Sequence, residues 1–361
     1  MLVPMHAMPH ADLAVWTQTL ADLPSRLPAL TSFAFARKPA PLSWHPAWLT
    51  VLHKAFGYEV FALEARVRDH TCGYLPLALV DSFLFGKFLV SLPYLSSNGV
   101  LAQSSEVETK LISRAVELAD ELGAKHLELR QEKAIEHPAL NGAMTSKVHM
   151  RLALPGDTET LWKKLDTKVR NQVRKGEKPE FNLRVEWGGV NLLAPFYEVL
   201  SRNMRDLGTP VYAKSLFEII LATFPTDAEL CLVWQGETPV ASAMLLHGAG
   251  ITEVPTASSL REFNHTCCNM LMYRHLVDRA IARGQTIFDF GRSTLDGPTF
   301  KFKKQWGAVP HPAVWQYHLR DGDMGEMRPD NPRYAWLIRQ WQKLPVKLTQ
   351  LLGPPIVRGI P

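Results

Sequence analysis

Cysteine is scarce in this chain of 361 residues, and its four copies organise nothing. Cys72, Cys231, Cys267 and Cys268 match no zinc-ligand spacing, and the adjacent Cys267 and Cys268 are poorly placed to pair with each other. All four are expected to be reduced, mostly buried thiols in a reducing compartment. The thirteen histidines show no metal spacing either. No apolar run approaches the roughly 20 residues needed to span a bilayer. Met1–Trp16 has no basic stretch leading into an apolar one, so a secretory signal is not expected. The expected location is therefore cytoplasmic, with peripheral contact at the inner membrane left open. The Walker loop, GxGxxG, GxSxG and HExxH are all missing, which argues against the nucleotide, hydrolase and zinc chemistries those motifs serve.

Apolar residues make up 46% of the chain and charged residues 21%, an ordinary soluble composition without the signature of disorder. The net charge of +5 is mildly basic. It suits a partner carrying phosphate or carboxylate, and no DNA partner is expected. The length suits two domains.

The two halves echo each other. Strands at Phe61–Val67, Cys72–Val80 and Lys87–Leu92 precede an amphipathic helix, Glu106–Leu122, with Gly123 as its C-terminal stop; strands His126–Leu129 and Val148–Leu154 follow. The second half repeats the order: strands Glu229–Trp234, Val240–His247 and Ile251–Ala257, a helix at Met270–Ala282 stopped by Gly284, then strands Thr286–Phe290 and Val314–Leu319. Residues 117–130 line up with 278–291, an offset of 161 residues. Short turns between strands imply antiparallel pairing, and each helix crosses over to a further strand. Three antiparallel strands, then helix, then strand is the core order of the GNAT acyltransferase fold. The expected fold class is α+β (α/β): two tandem GNAT-like domains, each a mixed, mostly antiparallel sheet flanked by helices. Their expected extents are 28–155 and 156–322, after an N-terminal segment 1–27 and before a basic amphipathic tail 323–361. Pro155–Gly156 marks the boundary, and Asp157 is placed to cap the next helix. In the tail, a polar loop beginning at about Asp321 leads into the amphipathic segment Tyr334–Leu352, which closes at Gly353–Pro354–Pro355.

Four stretches carry chemistry. In residues 161–178, Leu161, Leu165, Val169 and Val173 recur every fourth residue, predicting one helix. Its flanks carry Lys168, Arg170 and Arg174, suited to a polyanion or to plain solvation. In 200–220, a helix begun at Pro195 and ended by Gly208 places Arg202, Asn203 and Arg205 near its C-terminus, either as dipole partners or as a fork for phosphate or carboxylate. In 287–307, Asp289 alternates with aromatics on a strand, Gly291 permits a sharp turn, and Arg292 and Ser293 follow. Phe300, Phe302 and Trp306 are expected to pack inward and leave Lys301, Lys303 and Lys304 free. In 89–102, Tyr94, Ser96, Ser97 and Asn98 form a polar loop fit to line a cleft. The glycine-bearing phosphate loop of CoA-dependent GNAT enzymes has no counterpart, since LREFNHTCCN (260–269) stands before the second helix.

RNQVRKGEK (170–178), RNMRDLGTPVYAKSLFE (202–218), FDFGRS (288–293) and FKKQWG (302–307) together resemble the FemAB family, most of all its branch associated with exosortase/PEP-CTERM exopolysaccharide systems. The resemblance runs over nearly the whole chain, including LPYLSSNG and the tail 331–358. It implies an N-acyl or aminoacyl transferase acting on an anionic cell-envelope precursor, with a cleft on the second domain and at the junction. It places a catalytic lysine on Lys303 and phosphate-holding roles on Arg170, Arg174, Arg202, Arg205 and Tyr212. Asp289 is a candidate to orient the amine or accept its proton. Lys168, Asn203, Arg292, Ser293, Lys304, Trp306, Tyr94 and Asn98 complete the candidate substrate-binding set. No tightly bound cofactor is expected. The acyl donor is a co-substrate, aminoacyl-tRNA or acyl-CoA, which makes tRNA a candidate partner. The sequence departs from some tRNA-using members in lacking their coiled-coil arm. Competing readings are an acetyl-CoA-dependent N-acetyltransferase of a small amine, and a non-catalytic scaffold of polysaccharide assembly that binds proteins or a membrane through Arg339, Lys343 and Lys347.

Overall fold

The computed structural model describes residues 12–82, 86–320 and 333–360. The first half runs β1 (Leu13–Thr19), α1 (Leu23–Phe35), α2 (Trp48–Phe56), β2 (Glu59–Val67), β3 (His70–Ser82), β4 (Gly86–Val90), β5 (Leu101–Ala102), α3 (Ser105–Glu121), β6 (His126–Gln131) and β7 (Gly142–Ala153). The second runs α4 (Thr158–Lys164), α5 (Thr167–Gly176), β8 (Leu183–Gly188), α6 (Leu193–Leu207), α7 (Lys214–Thr223), β9 (Ala228–Gln235), β10 (Thr238–His247), β11 (Ile251–Ser259), α8 (Cys268–Ala282), β12 (Ile287–Thr294), α9 (Pro298–Gln305) and β13 (Val309–Leu319). Two tail helices follow, α10 (Arg333–Trp341) and α11 (Val346–Arg358). The repeated strand–strand–strand–helix–strand order read from the sequence is present in both halves.

All these strands join one sheet in the order β1-β2-β3-β4-β6-β13-β7-β12-β11-β10-β9-β8, with β5 beside β3. Pairing is antiparallel except at β4–β6 and β11–β12, the strands on either side of the crossover helices α3 and α8. The halves exchange their last strands. β13, from the end of the second half, pairs with β6 of the first; β7 pairs with β12 and also with β13. Strands β2, β3, β9 and β10 are buried on both faces and so are apolar at successive positions, whereas β1, β7 and β8 are partly exposed. On β10, Met244 and Leu246 join a core shared by both halves, whereas Ala243 and Leu245 join the core under α8. The shared core also takes in Trp48, Val60 and Ala62 from the first half and Phe196, Phe217 and Phe224 from the second.

Three local expectations change. Residues 161–178 form two helices, because Asp166 turns its carboxylate onto the Lys168 amide at 2.7 Å and caps a new helix instead of continuing the old one. Residues 298–305 form a helix opened by Pro298. On it, Phe300 and Lys303 lie three apart on one face and both are buried, so Lys303 is not free. The tail segment breaks at Pro345, and α11 then runs through Pro354 and Pro355. It is held because Gly353 lies against the Val211 backbone and the Tyr58 and Tyr94 hydroxyls donate to the Arg358 and Val357 carbonyls at 2.7 and 2.8 Å. The loop expected from about Asp321 lies outside the described residues. All four cysteines are unpaired, and Cys267 is the least buried.

Candidate active site

Strands β11 and β12 stay in register for three pairs, Ile251–Ile287, Thr252–Phe288 and Glu253–Asp289. Past Glu253 they part. β12 bulges there against β7, and within the bulge Gly291 adopts a φ of +78°. A side chain in that conformation is strained, and a Cβ would also sit 3.4 Å from the Val254 carbonyl. The extra residue changes the parity of the strand. Asp289, opposite Arg151, and Arg292, opposite His149, therefore face the same side. The Glu253 pairing brings a second carboxyl to that side. A cleft of about 400 Å³ opens here, lined by Tyr94, Glu253, Asp289, Arg292 and Lys303 among others.

The charges fall into a chain. Asp289 accepts a hydrogen bond from Arg151 Nε at 2.8 Å and from the Gly291 amide at 2.7 Å. Arg151 also donates to Glu132 at 2.7 and 2.5 Å, and Glu132 accepts from the Ser97 hydroxyl at 2.7 Å. Burial would raise the Glu132 pKa, but the Arg151 hydrogen bonds and charge outweigh it and leave it lowered. Asp289 is thus already satisfied and nearly inaccessible. Glu253 differs. Its partners are the Ser43 amide at 3.0 Å and the Ser43 hydroxyl at 2.9 Å, and among the described residues no cation is bonded to it. Burial, helped by the charge of Asp289, pushes its carboxyl up to about 7.

Lys303 reaches the bulge from α9 and donates to the Gly291 and Arg292 carbonyls at 3.0 and 3.1 Å. Burial pushes its ammonium down to about 8, against the pull of Asp289. Two of its three protons are taken, which leaves one for a ligand. Arg292 stands over Trp315, its guanidinium carbon 3.7 Å from the ring centroid, and Arg130 stands over the same ring at 4.1 Å. Arg130 is tied to Glu128 at 2.6 Å and to the Leu95 carbonyl at 3.0 Å. Among the described residues, Arg292 has no hydrogen-bonding or ion-pairing partner. Burial, and then the like charge of Arg130, lower its pKa to about 10. With no ion pair among the described residues, the half-buried Arg292 guanidinium is left to answer to the more distant charge of Glu128.

The wall above is the loop after β4. Leu92 and Tyr94 hold φ of +53° and +70° there without being glycine. Each costs about 1–2 kcal/mol, so surrounding contacts must impose the shape. They do: the Asn98 amide donates to the Arg130 carbonyl at 2.9 Å, its side chain donates to the Ser43 carbonyl, and the Tyr94 hydroxyl reaches the Val357 carbonyl with its oxygen 2.5 Å from that of Tyr58.

Of the residues singled out in the sequence, Tyr94, Ser96, Asp289, Gly291, Arg292 and Lys303 line this cleft. Tyr212 stands edge-on behind Tyr94, ring centroids 5.3 Å apart. Asn98 is buried and braces the wall. The cationic cleft expected from Arg170, Arg174, Arg205 and Lys303 is not assembled, since only Lys303 lines it. Arg170 bonds Thr167 at 3.2 Å and Arg174 lies over Trp162 at 5.8 Å, both on α5, which carries Lys168 exposed. Arg202 pairs with Glu262 at 2.6 Å, and Asn203 donates to the Ser259 carbonyl at 3.1 Å. Arg205 pairs with Asp206 at 2.6 Å and ties the tail through the Leu344 carbonyl at 3.0 Å. Ser293 and Trp306 are buried in the protein interior, and Lys304 points to solvent. Sequence reasoning missed Glu253, Arg151, Glu132, His149 and Arg130. The 161-residue offset aligns Glu128 with Asp289, each a carboxylate between two apolar residues, but it marks none of these five.

The start of α8 is partly occupied by the protein itself. Thr266 Oγ1 accepts from the Cys268 amide at 3.2 Å, and the end of α5 lies against it, where a Cβ on Gly176 would come within 3.3 Å of the Cys267 carbonyl.

Residues 163–304 match the family model described as an acetyltransferase (GNAT) domain. Among curated proteins, none matches the chain in sequence. Among solved structures, FemX superposes with a TM-score of 0.63 at 15% identity, over 86% of this chain and 97% of its own. A tandem GNAT protein from the clavulanic acid biosynthesis pathway gives 0.54 at 11% identity, over 84% and 98%. L-PGS from Bacillus licheniformis gives 0.52 at 11% identity, over 86% and 92%. These are likenesses of fold, and they make the architecture a tandem GNAT one.

Proposed function

We propose that the protein is an N-acyl or aminoacyl transferase of FemAB type, acting on an anionic cell-envelope or exopolysaccharide precursor. One observation carries this reading: a carboxyl poised near neutrality, a weakened lysine ammonium and an unpartnered arginine share one cleft. Glu253 takes a proton from the acceptor amine as its nitrogen attacks the donor carbonyl carbon. The carbonyl electrons move onto oxygen, and the free N–H of Lys303 stabilises that oxyanion. Collapse forms the amide and expels an alkoxide or thiolate, which receives the proton. Arg292 holds the precursor's phosphate or carboxylate. Asp289, saturated by Arg151 and Gly291, positions the bulge and keeps Lys303 charged.

The glycine-bearing phosphate loop of CoA-dependent GNAT enzymes has no counterpart before α8, so an aminoacyl ester of tRNA suits the site better than acyl-CoA. The GNAT domain match on residues 163–304 supports acyl transfer with either donor. The test is transfer of radiolabel from charged tRNA or from acetyl-CoA to extracted envelope precursors. Label is expected from charged tRNA. Lys303→Ala should lower kcat/KM about 100-fold or more, and Arg292→Ala should raise KM about 10-fold. Label from acetyl-CoA alone would establish the acetyltransferase reading, and no transfer from either donor would overturn the proposal.

A further inference from the structure

From α10 to residue 360 the chain has no acidic residue, and Arg339, Lys343 and Lys347 stand exposed on it without an ion pair among the described residues. α11 turns Thr349, Gly353 and Val357, spaced four apart, against the body of the protein. Its other side is not polar. Leu348 is 38% exposed, Leu351 70%, Leu352 42% and Ile356 39%, and on α10 Trp336 is 59% and Leu337 53% exposed. At roughly 100° per residue, Leu348, Leu351, Leu352 and Ile356 fall on one continuous face, with Lys347 and Arg358 at its border. Apolar residues concentrated this way on a surface call for an occupant.

We infer that α10 and α11 form an interfacial anchor that lays this apolar face into a lipid bilayer rich in anionic headgroups. The charge pattern selects that occupant. A cationic rim free of carboxylates around an apolar stripe with a tryptophan is complementary to anionic lipid, the apolar face entering the acyl boundary and the cations meeting the headgroups. Among the described residues no helix is long and apolar enough to cross a membrane, so the tail lies on the surface. The anchor is coupled to the cleft. Val357 accepts from the Tyr94 hydroxyl, and Tyr94 lines the cleft wall. An anchored tail therefore holds the cleft at the headgroup layer, where an amphiphilic acceptor is presented. The anchor itself does not depend on the transfer reaction.

Vesicle flotation of the full chain tests it, with vesicles of phosphatidylcholine alone or mixed with phosphatidylglycerol. About ten-fold more protein should float with the anionic vesicles, and high salt should reduce the fraction. The double variant Leu351→Glu, Leu352→Glu should stay at the bottom of the gradient while keeping the wild-type melting temperature, because both side chains face solvent. Wild type that fails to float with anionic vesicles, or a double variant that floats as well as wild type, overturns the inference. A non-floating wild type that light scattering shows to be a dimer, split by the same substitutions, would assign the face to a second copy instead.

Discussion

At Glu253, strand register sets a carboxyl beside Asp289 while the surrounding protein keeps water away, and both effects favour the protonated form. The consequence for stability has a definite sign. The folded pKa of about 7 exceeds the ordinary value of 4.5, so the folded state holds a proton that the unfolded chain has released. Stability from this group is complete below about 4.5 and lost as pH rises through about 7, amounting to about 3 kcal/mol at most. Glu253→Gln keeps an oxygen for the Ser43 donors and cannot ionise. Urea unfolding at about pH 5 and about pH 8 should therefore show a smaller loss of stability for the variant than for wild type. The same substitution should abolish the acidic limb of the kcat/KM profile if Glu253 is the base. An equal pH loss in both proteins would place the Glu253 titration elsewhere. The sequence could not mark this residue, because its chemistry comes from Ser43 and Asp289, 210 and 36 positions away. Asp289 and Lys303 were legible because they sit in one continuous motif.

The repeated strands and crossover helices were legible for a local reason, whereas β1, α1, α2, β8 and α7 were not read. Strands buried on both faces are continuously apolar, and glycines stop the crossover helices at Gly123 and Gly284 with φ of +65° and +70°. Legibility failed where tertiary contacts overrule local signals. Periodicity carried the 161–178 helix across Asp166, although a capping carboxylate breaks it, and Pro354–Pro355 looked like an end because the contacts holding α11 come from Val211, Tyr58 and Tyr94. The same contacts make α11 sensitive at one point. A Cβ at Gly353 would fall 2.8 Å from the Val211 carbonyl oxygen and 2.9 Å from its amide nitrogen, and backbone cannot yield as a side-chain tip can. Gly353→Val should lift α11, cost about 1–3 kcal/mol, and open the tail to limited proteolysis well before the rest of the chain. Wild-type protease resistance in the variant would show that the tail is not seated by this contact.

Across the whole molecule, the exchange of β7 and β13 decides how the halves relate. The sequence repeat located two similar units but had no means of showing that each lends a strand to the other, since periodicity is blind to which edge a strand joins. β13 supplies the neighbour that β6 needs, and β7 supplies the one that β12 needs. A half expressed alone would leave that edge of its sheet open and half of the shared core exposed, with Trp48 parted from Phe224, whose ring centroid lies 5.2 Å from its own. Neither half then has a stable state of its own to occupy during unfolding. Heating should produce one calorimetric transition whose measured enthalpy equals the van't Hoff value, even though a chain of this size usually unfolds domain by domain. Two resolved transitions, or a 1–155 fragment that melts cooperatively on its own, would mean that the exchanged strands add contacts without making the halves interdependent. The cleft makes the single transition consequential: Glu132 and the Tyr94 wall come from one half, and Glu253, Asp289 and Lys303 from the other, so a molecule that lost either half would lose the site with it.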